Sequence, residues 1–153
     1  MFVKTRADLV DNRASNDYDG QRLTFRVGME RGIGGHATIG ISVFSSDSNL
    51  NGYFASFRRQ GLKAFTSADV GRGFQIKGSL GVLTKIYDRD NPIYVESRDA
   101  LRTTAHIRMS KADLFLAKRF TPYIAVAAER YSSKIDALSY STQQLRLGLE
   151  AKF

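Results

Sequence analysis

Histidine is the first place to look for chemistry, and the chain holds two, His36 and His106. Neither belongs to the H-E-x-x-H arrangement of a zinc site. Thr104, His106 and Arg108 alternate, which would set all three on one face of an extended strand. Such a face could host a Ser-His-acid site, but a histidine among polar neighbours more often serves as a hydrogen-bonding residue. There is no Cys, so thiolate nucleophiles, thiolate metal sites and disulfides are excluded, and an oxidising compartment is compatible. Gly32-Ile33-Gly34-Gly35 and Gly71-Arg72-Gly73 are glycine-rich, yet neither opens a helix as a phosphate cradle does; both suit turns. Glu150 has no carboxylate partner at useful spacing, and no metal cluster is visible. The expectation is no enzyme, no catalytic residue, no cofactor and no metal.

The elements around these residues repeat with period two. Leu23, Phe25, Val27 and Met29 alternate with Arg22, Thr24, Arg26 and Gly28, and Ala37, Ile39, Ile41 and Val43 follow the same rule. Residues 74–87, 101–109 and 144–153 continue it, with Leu145, Leu147 and Leu149 set against Arg146, Gly148 and Glu150. Helices would group apolar residues at i, i+3 and i+4; alternation marks half-buried strands. Weaker strands are expected over 2–10, over 58–66, where Phe65 breaks the alternation, and over 123–130. That makes eight, longer than the ~5–6 residues usual in soluble domains.

Long polar connections (11–20, 47–57, 88–99 and 133–139) alternate with shorter ones, tight near 31–35 and 69–73 and of medium length near 112–119, as in an outer-membrane barrel with long external loops and short periplasmic turns. Phe65, Phe74, Phe120 and Phe153 near one set of strand ends, and Tyr87, Tyr131 and Tyr140 near the other, suggest two interfacial girdles. The expected fold is therefore all-β: an antiparallel transmembrane β-barrel or barrel segment of about eight strands. No apolar run approaches the length of a transmembrane helix.

The chain is 153 residues long, enough for one domain or a piece of a larger one, and Lys plus Arg exceed Asp plus Glu by 23 to 15, a formal charge of +8. The cations Lys4, Arg6, Arg22, Arg26, Lys77, Lys85, Arg102, Arg108, Arg146 and Lys152 share the polar parity. In a barrel they would line the lumen, with Lys77, Arg102, Arg108 and Arg146 the clearest cases, paired in part with Asp8, Glu129 and Glu150. With charge spread across strands and no recognition helix, nucleic acid is not an expected partner.

The last eight residues, Arg146-Leu147-Gly148-Leu149-Glu150-Ala151-Lys152-Phe153, resemble the C-terminal signal of outer-membrane β-barrel proteins, the roles falling on Arg146, Gly148, Ala151 and Phe153. That resemblance implies recognition by the barrel assembly machinery. Tyr87-Asp88-Arg89-Asp90-Asn91-Pro92-Ile93-Tyr94, Arg98-Asp99, Phe120-Thr121-Pro122-Tyr123, Glu129-Arg130-Tyr131-Ser132-Ser133 and Tyr140-Ser141 together are similar to the C-terminal barrel of the surface lipoprotein assembly modifier family. It implies residence in the cell outer membrane among its lipids, and help in bringing a surface lipoprotein client to the cell surface. The helical-repeat domain of that family is missing here, the strands are fewer, and Met1 leads into the first strand without a hydrophobic leader. Residues 1–153 are thus expected to be the C-terminal part of a larger family barrel. A small structural or adhesive outer-membrane barrel, and a soluble ligand-binding β-barrel, are the alternatives.

Overall fold

Alternating segments with branched and aromatic residues on one side form strands because each successive side chain can be given to a different environment. In the computed structural model, residues 1–10, 20–51, 55–90, 93, 96–112 and 120–151 are described, with backbone alone for 2–3, 5–10 and 151. Eight strands follow in order: β1 Phe2–Val10, β2 Gly20–Ile33, β3 Ala37–Leu50, β4 Phe57–Gly71, β5 Phe74–Tyr87, β6 Ala100–Lys111, β7 Phe120–Ser133 and β8 Tyr140–Ala151. They make one antiparallel sheet in which each strand pairs with its neighbours in the chain. Among the described residues the other element is a single 3-10 turn, Asp136–Leu138. No helix among the described residues is long and apolar enough to cross a membrane.

Of the expected barrel or barrel segment, the antiparallel all-β sheet is found and closure is not: the sheet is open, with β1 paired to β2 alone and β8 to β7 alone among the described residues. The expected connection 47–57 is also too long, since β3 runs to Leu50 and β4 begins at Phe57. Ser56 closes the remaining link, its hydroxyl accepting the Leu50 N–H at 2.9 Å and donating to the Leu50 carbonyl at 3.1 Å. The short turns form where chain geometry demands them. Gly71, Arg72 and Gly73 all have positive φ (83°, 52° and 76°), a left-handed run that glycine adopts without steric cost. The Asp69 carboxylate accepts the Gly71 N–H there at 3.0 Å. Connections 11–19 and 113–119 lie outside the described residues.

Register sorts every side chain onto one of two faces. Leu23, Phe25 and Met29 of β2 share a face with Ile39, Ile41 and Val43 of β3. That face continues through Leu62, Leu80, Val82, Ile107, Val126, Leu145 and Leu147. The other face carries Arg22, Ser46, Arg59, Lys85, Arg102 and Glu129. Exposure is the reverse of a soluble sheet: Leu147, Leu80 and Ile107 are 74%, 64% and 62% exposed, while Ser46 and Ser48 on the polar face are 0% exposed. Side chains from non-adjacent strands touch on the polar side, Arg22 of β2 reaching Phe57 of β4. The sheet therefore curls around its polar face.

The aromatic residues correct the girdle reading. Tyr87, Tyr131 and Tyr140 all stand on the polar face, where Tyr131 stacks on Tyr140 with centroids 5.1 Å apart. Phe65 stands there too, directly opposite Gly40, where a Cβ on Gly40 would lie 2.3 Å from the ring. Phe44 covers Gly61 and Tyr123 covers Gly148 in the same way. Each ring lies on a bare cross-strand Cα, a device that pins register and permits strong curvature. Phe74 and Phe120 keep the apolar face and Phe153 lies outside the described residues.

Candidate functional site

Most of the charged contacts among the described residues lie on the polar face, Arg58–Asp47 being a pair on the other one, and the polar face has two ends. At the tight-turn end, Arg108 of β6 meets Glu150 of β8 at 2.6 Å and lies 3.9 Å over the ring of Tyr123 on β7. Since Tyr123 covers Gly148, the four residues form one brace across three strands. Lys77 and Arg108 line a polar cavity of about 350 Å³ here, with Asp69, Gln75, Ser110 and Glu150.

At the loop end, Arg102 pairs with Glu129 at 2.5 Å, and the Tyr140 hydroxyl donates to the same carboxylate at 2.7 Å. Beside them Phe57 and Tyr87 lie 5.6 Å apart, beneath Arg22, Arg59, Lys85 and Arg98. Leu50 and Ala55 pack with Phe57 to form the small buried apolar cluster of this end. Asp99, just before β6, ties the outer connections together. Its carboxylate accepts the Tyr87 N–H at 3.0 Å and the Lys134 ammonium at 3.0 Å. Partial burial works to raise the Asp99 pKa, but hydrogen bonds involving Ser97, Lys134 and the Tyr87 N–H outweigh it and hold the carboxyl below its ordinary range.

The structure sets Lys77, Arg102, Arg108 and Arg146 on this one face. Arg102 and Arg108 have carboxylate partners, and Arg146 donates to Gln144 at 2.6 Å. Asp8 stands opposite Arg22 in register, though its side chain is not described. Of the residues whose pattern resembles a C-terminal signal, Arg146 and Gly148 share the polar face and Ala151 ends β8; Phe153 and Lys152 lie outside the described residues. His106 faces Ser79 across the β5–β6 pair, and no hydrogen bond joins them. His36 is exposed in the β2–β3 turn. No group of three or more metal-ligating side chains occurs among the described residues. Arg59 and Phe57 escaped the sequence reading because they meet Arg22 and Lys85 only through pairing of distant strands. No protein-family profile, curated protein or solved structure matches the chain.

Proposed function

We propose that this sheet is the wall of an outer-membrane β-barrel, with its apolar face against lipid and its polar face toward the lumen. The observation that carries this is the inverted burial, in which Leu, Ile and Val side chains are left out on the convex face while serines are sealed on the concave one. In water each stranded side chain would forgo roughly 1.5–3 kcal/mol of burial, and so large an apolar patch marks a contact surface. Lipid supplies that contact along the whole sheet. Strand length agrees: about 9–11 tilted residues cross a bilayer, and β2 to β5 have 14 or 15.

Insertion requires that both edges be matched, because unpaired backbone groups have no water to bond in the hydrocarbon. The edges of β1 and β8 would pair with each other, or with strands of another chain. The likeness of residues 74–153 to surface lipoprotein assembly modifiers supports a role in delivering or displaying lipoproteins at the cell surface. An eight-stranded barrel on its own is just filled by side chains and leaves no passage for a polypeptide. Here Phe44, Phe65, Tyr87, Tyr123 and Tyr131 all occupy the polar face, which favours a structural or adhesive anchor for a barrel closed by this sheet alone. Detergent-dependent extraction with heat-modifiable gel migration tests the membrane reading. Release into the soluble fraction without detergent would overturn it.

A further inference from the structure

Three cations from three strands converge on one ring at the loop end of the polar face. The charged groups of Arg22, Arg59 and Lys85 lie 5.9, 5.3 and 3.9 Å from the centroid of Phe57. Phe57 is only 9% exposed, so the charges gather over a floor that water scarcely reaches. Tyr87 extends that floor, with Lys85 4.3 Å from its ring. Two carboxylates of this end are engaged elsewhere: Glu129 by Arg102 and Tyr140, Asp99 by Lys134. Asp8 is in register with Arg22 on β1, far in strand order from Arg59 and Lys85. Among the described residues no carboxylate pairs with Arg59 or Lys85. The Nε of Arg59 is buried without an acceptor, and its terminal nitrogen reaches only the Ser46 hydroxyl, at 3.4 Å. Buried donors left in that condition are rare in folded proteins and call for an explanation.

We propose that this cluster binds a multiply charged oxyanion of the phosphoryl type, with Arg59 and Lys85 as its principal ligands and Arg22 as the third. A phosphoryl group carries close to two charges and at least three acceptor oxygens, which suits two guanidinium forks and an ammonium. A single carboxylate would leave most of the charge uncompensated. The site is built by β2, β4 and β5 and does not depend on how the sheet edges are matched.

The test uses the full chain refolded in detergent micelles and titrated calorimetrically at constant ionic strength with inorganic pyrophosphate. A parallel titration uses short-chain phosphatidic acid, which presents a phosphomonoester on a lipid. Saturable binding is expected, and tighter binding of the lipid would assign the group to a headgroup, tighter binding of pyrophosphate to a free solute. Arg59→Gln and Lys85→Gln should each weaken binding about tenfold or more, the loss expected for a charged hydrogen bond. Arg59→Lys should fall between, and Lys77→Gln, at the opposite end, should bind as the parent does. Should Arg59→Gln lose its strand signal in circular dichroism, Lys85→Gln carries the test, since it removes a charge from a repelling group. Absence of binding by both probes, or an equal loss in Lys77→Gln, would overturn the site.

Discussion

Replacing Leu147 by Arg separates a sheet bathed in lipid from one bathed in water. On β8 the apolar face shows Leu145, Leu147 and Leu149 in succession, opposite Val126, Ile124 and Pro122 of β7, so Leu147 stands midway along the apolar stretch. An arginine at the bilayer midplane costs about 2–4 kcal/mol, which is roughly a 30- to 1000-fold drop in the folding equilibrium. In water the same position, 74% exposed, would accept Arg within ~0.5 kcal/mol. Arg146→Leu, one residue away on the polar face, forfeits a hydrogen bond to Gln144 and should cost about 1 kcal/mol. Because β8 is an edge, Ile107→Arg on β6, flanked by Gly78 and Val126, repeats the test inside the sheet. The chain has no Trp, so urea-dependent folding into lipid vesicles is best followed by gel migration and circular dichroism. If Leu147→Arg and Ile107→Arg both fold into vesicles as well as Arg146→Leu, the lipid-facing assignment fails and the soluble barrel takes its place.

Gly40→Ala should destabilise the sheet by about 1–3 kcal/mol through overpacking against Phe65, and Phe65→Ala in the same chain should recover much of the loss; denaturant midpoints of the four species measure the coupling. Asp99, whose folded pKa lies below the ordinary 3.8, contributes stability in full above that value and loses it as pH falls further through the folded pKa. Protection of the Tyr87 amide, its exchange rate set against the intrinsic rate at each pH, should fall on acidification in the parent, whereas Asp99→Ala, which removes the acceptor, should show low protection at all pH; a parent whose protection is insensitive to acid would refute the linkage. Single cysteines at Asn51 or Ser133 should react with an impermeant thiol reagent on intact cells, and those at Gly34 or Arg72 should not. The reverse pattern would invert the orientation.

Strand existence was legible because facing is a local property: apolar residues two apart need no knowledge of the partner strand. Strand ends were not. Residues 44–50, Phe-Ser-Ser-Asp-Ser-Asn-Leu, show little alternation, and β3 extends through them because Gly20–Phe25 and Phe57–Gln60 offer backbone partners on both sides. Phe65 looked like a flaw in β4; it is a cross-strand partner of Gly40, a relation 25 residues apart in the chain. The tyrosines were misplaced for another reason. Tyr87 sits in the polar parity of its strand, so parity already argued against an interfacial role that position along the strand suggested. Closure could not be read at all, since nothing within a strand says whether the first and last will meet. The Arg59–Lys85 cluster was hidden likewise, being a product of curvature that brings β2 toward β4 and β5.

Because every strand pairs with its sequence neighbours, the width of the sheet is a count of hairpins. A hairpin removed or duplicated leaves each remaining interface antiparallel, keeps the apolar–polar facing of every other strand, and returns the chain to the same end of the sheet. Such a sheet can change width in steps of two strands without redesign of its packing. The aromatic–glycine pairs Phe65–Gly40 and Phe44–Gly61 both join β3 to β4, and Tyr123–Gly148 joins β7 to β8. Those two seams are the places where a change in strand number would cost the most, and the other interfaces are where the chain can most readily lengthen or shorten.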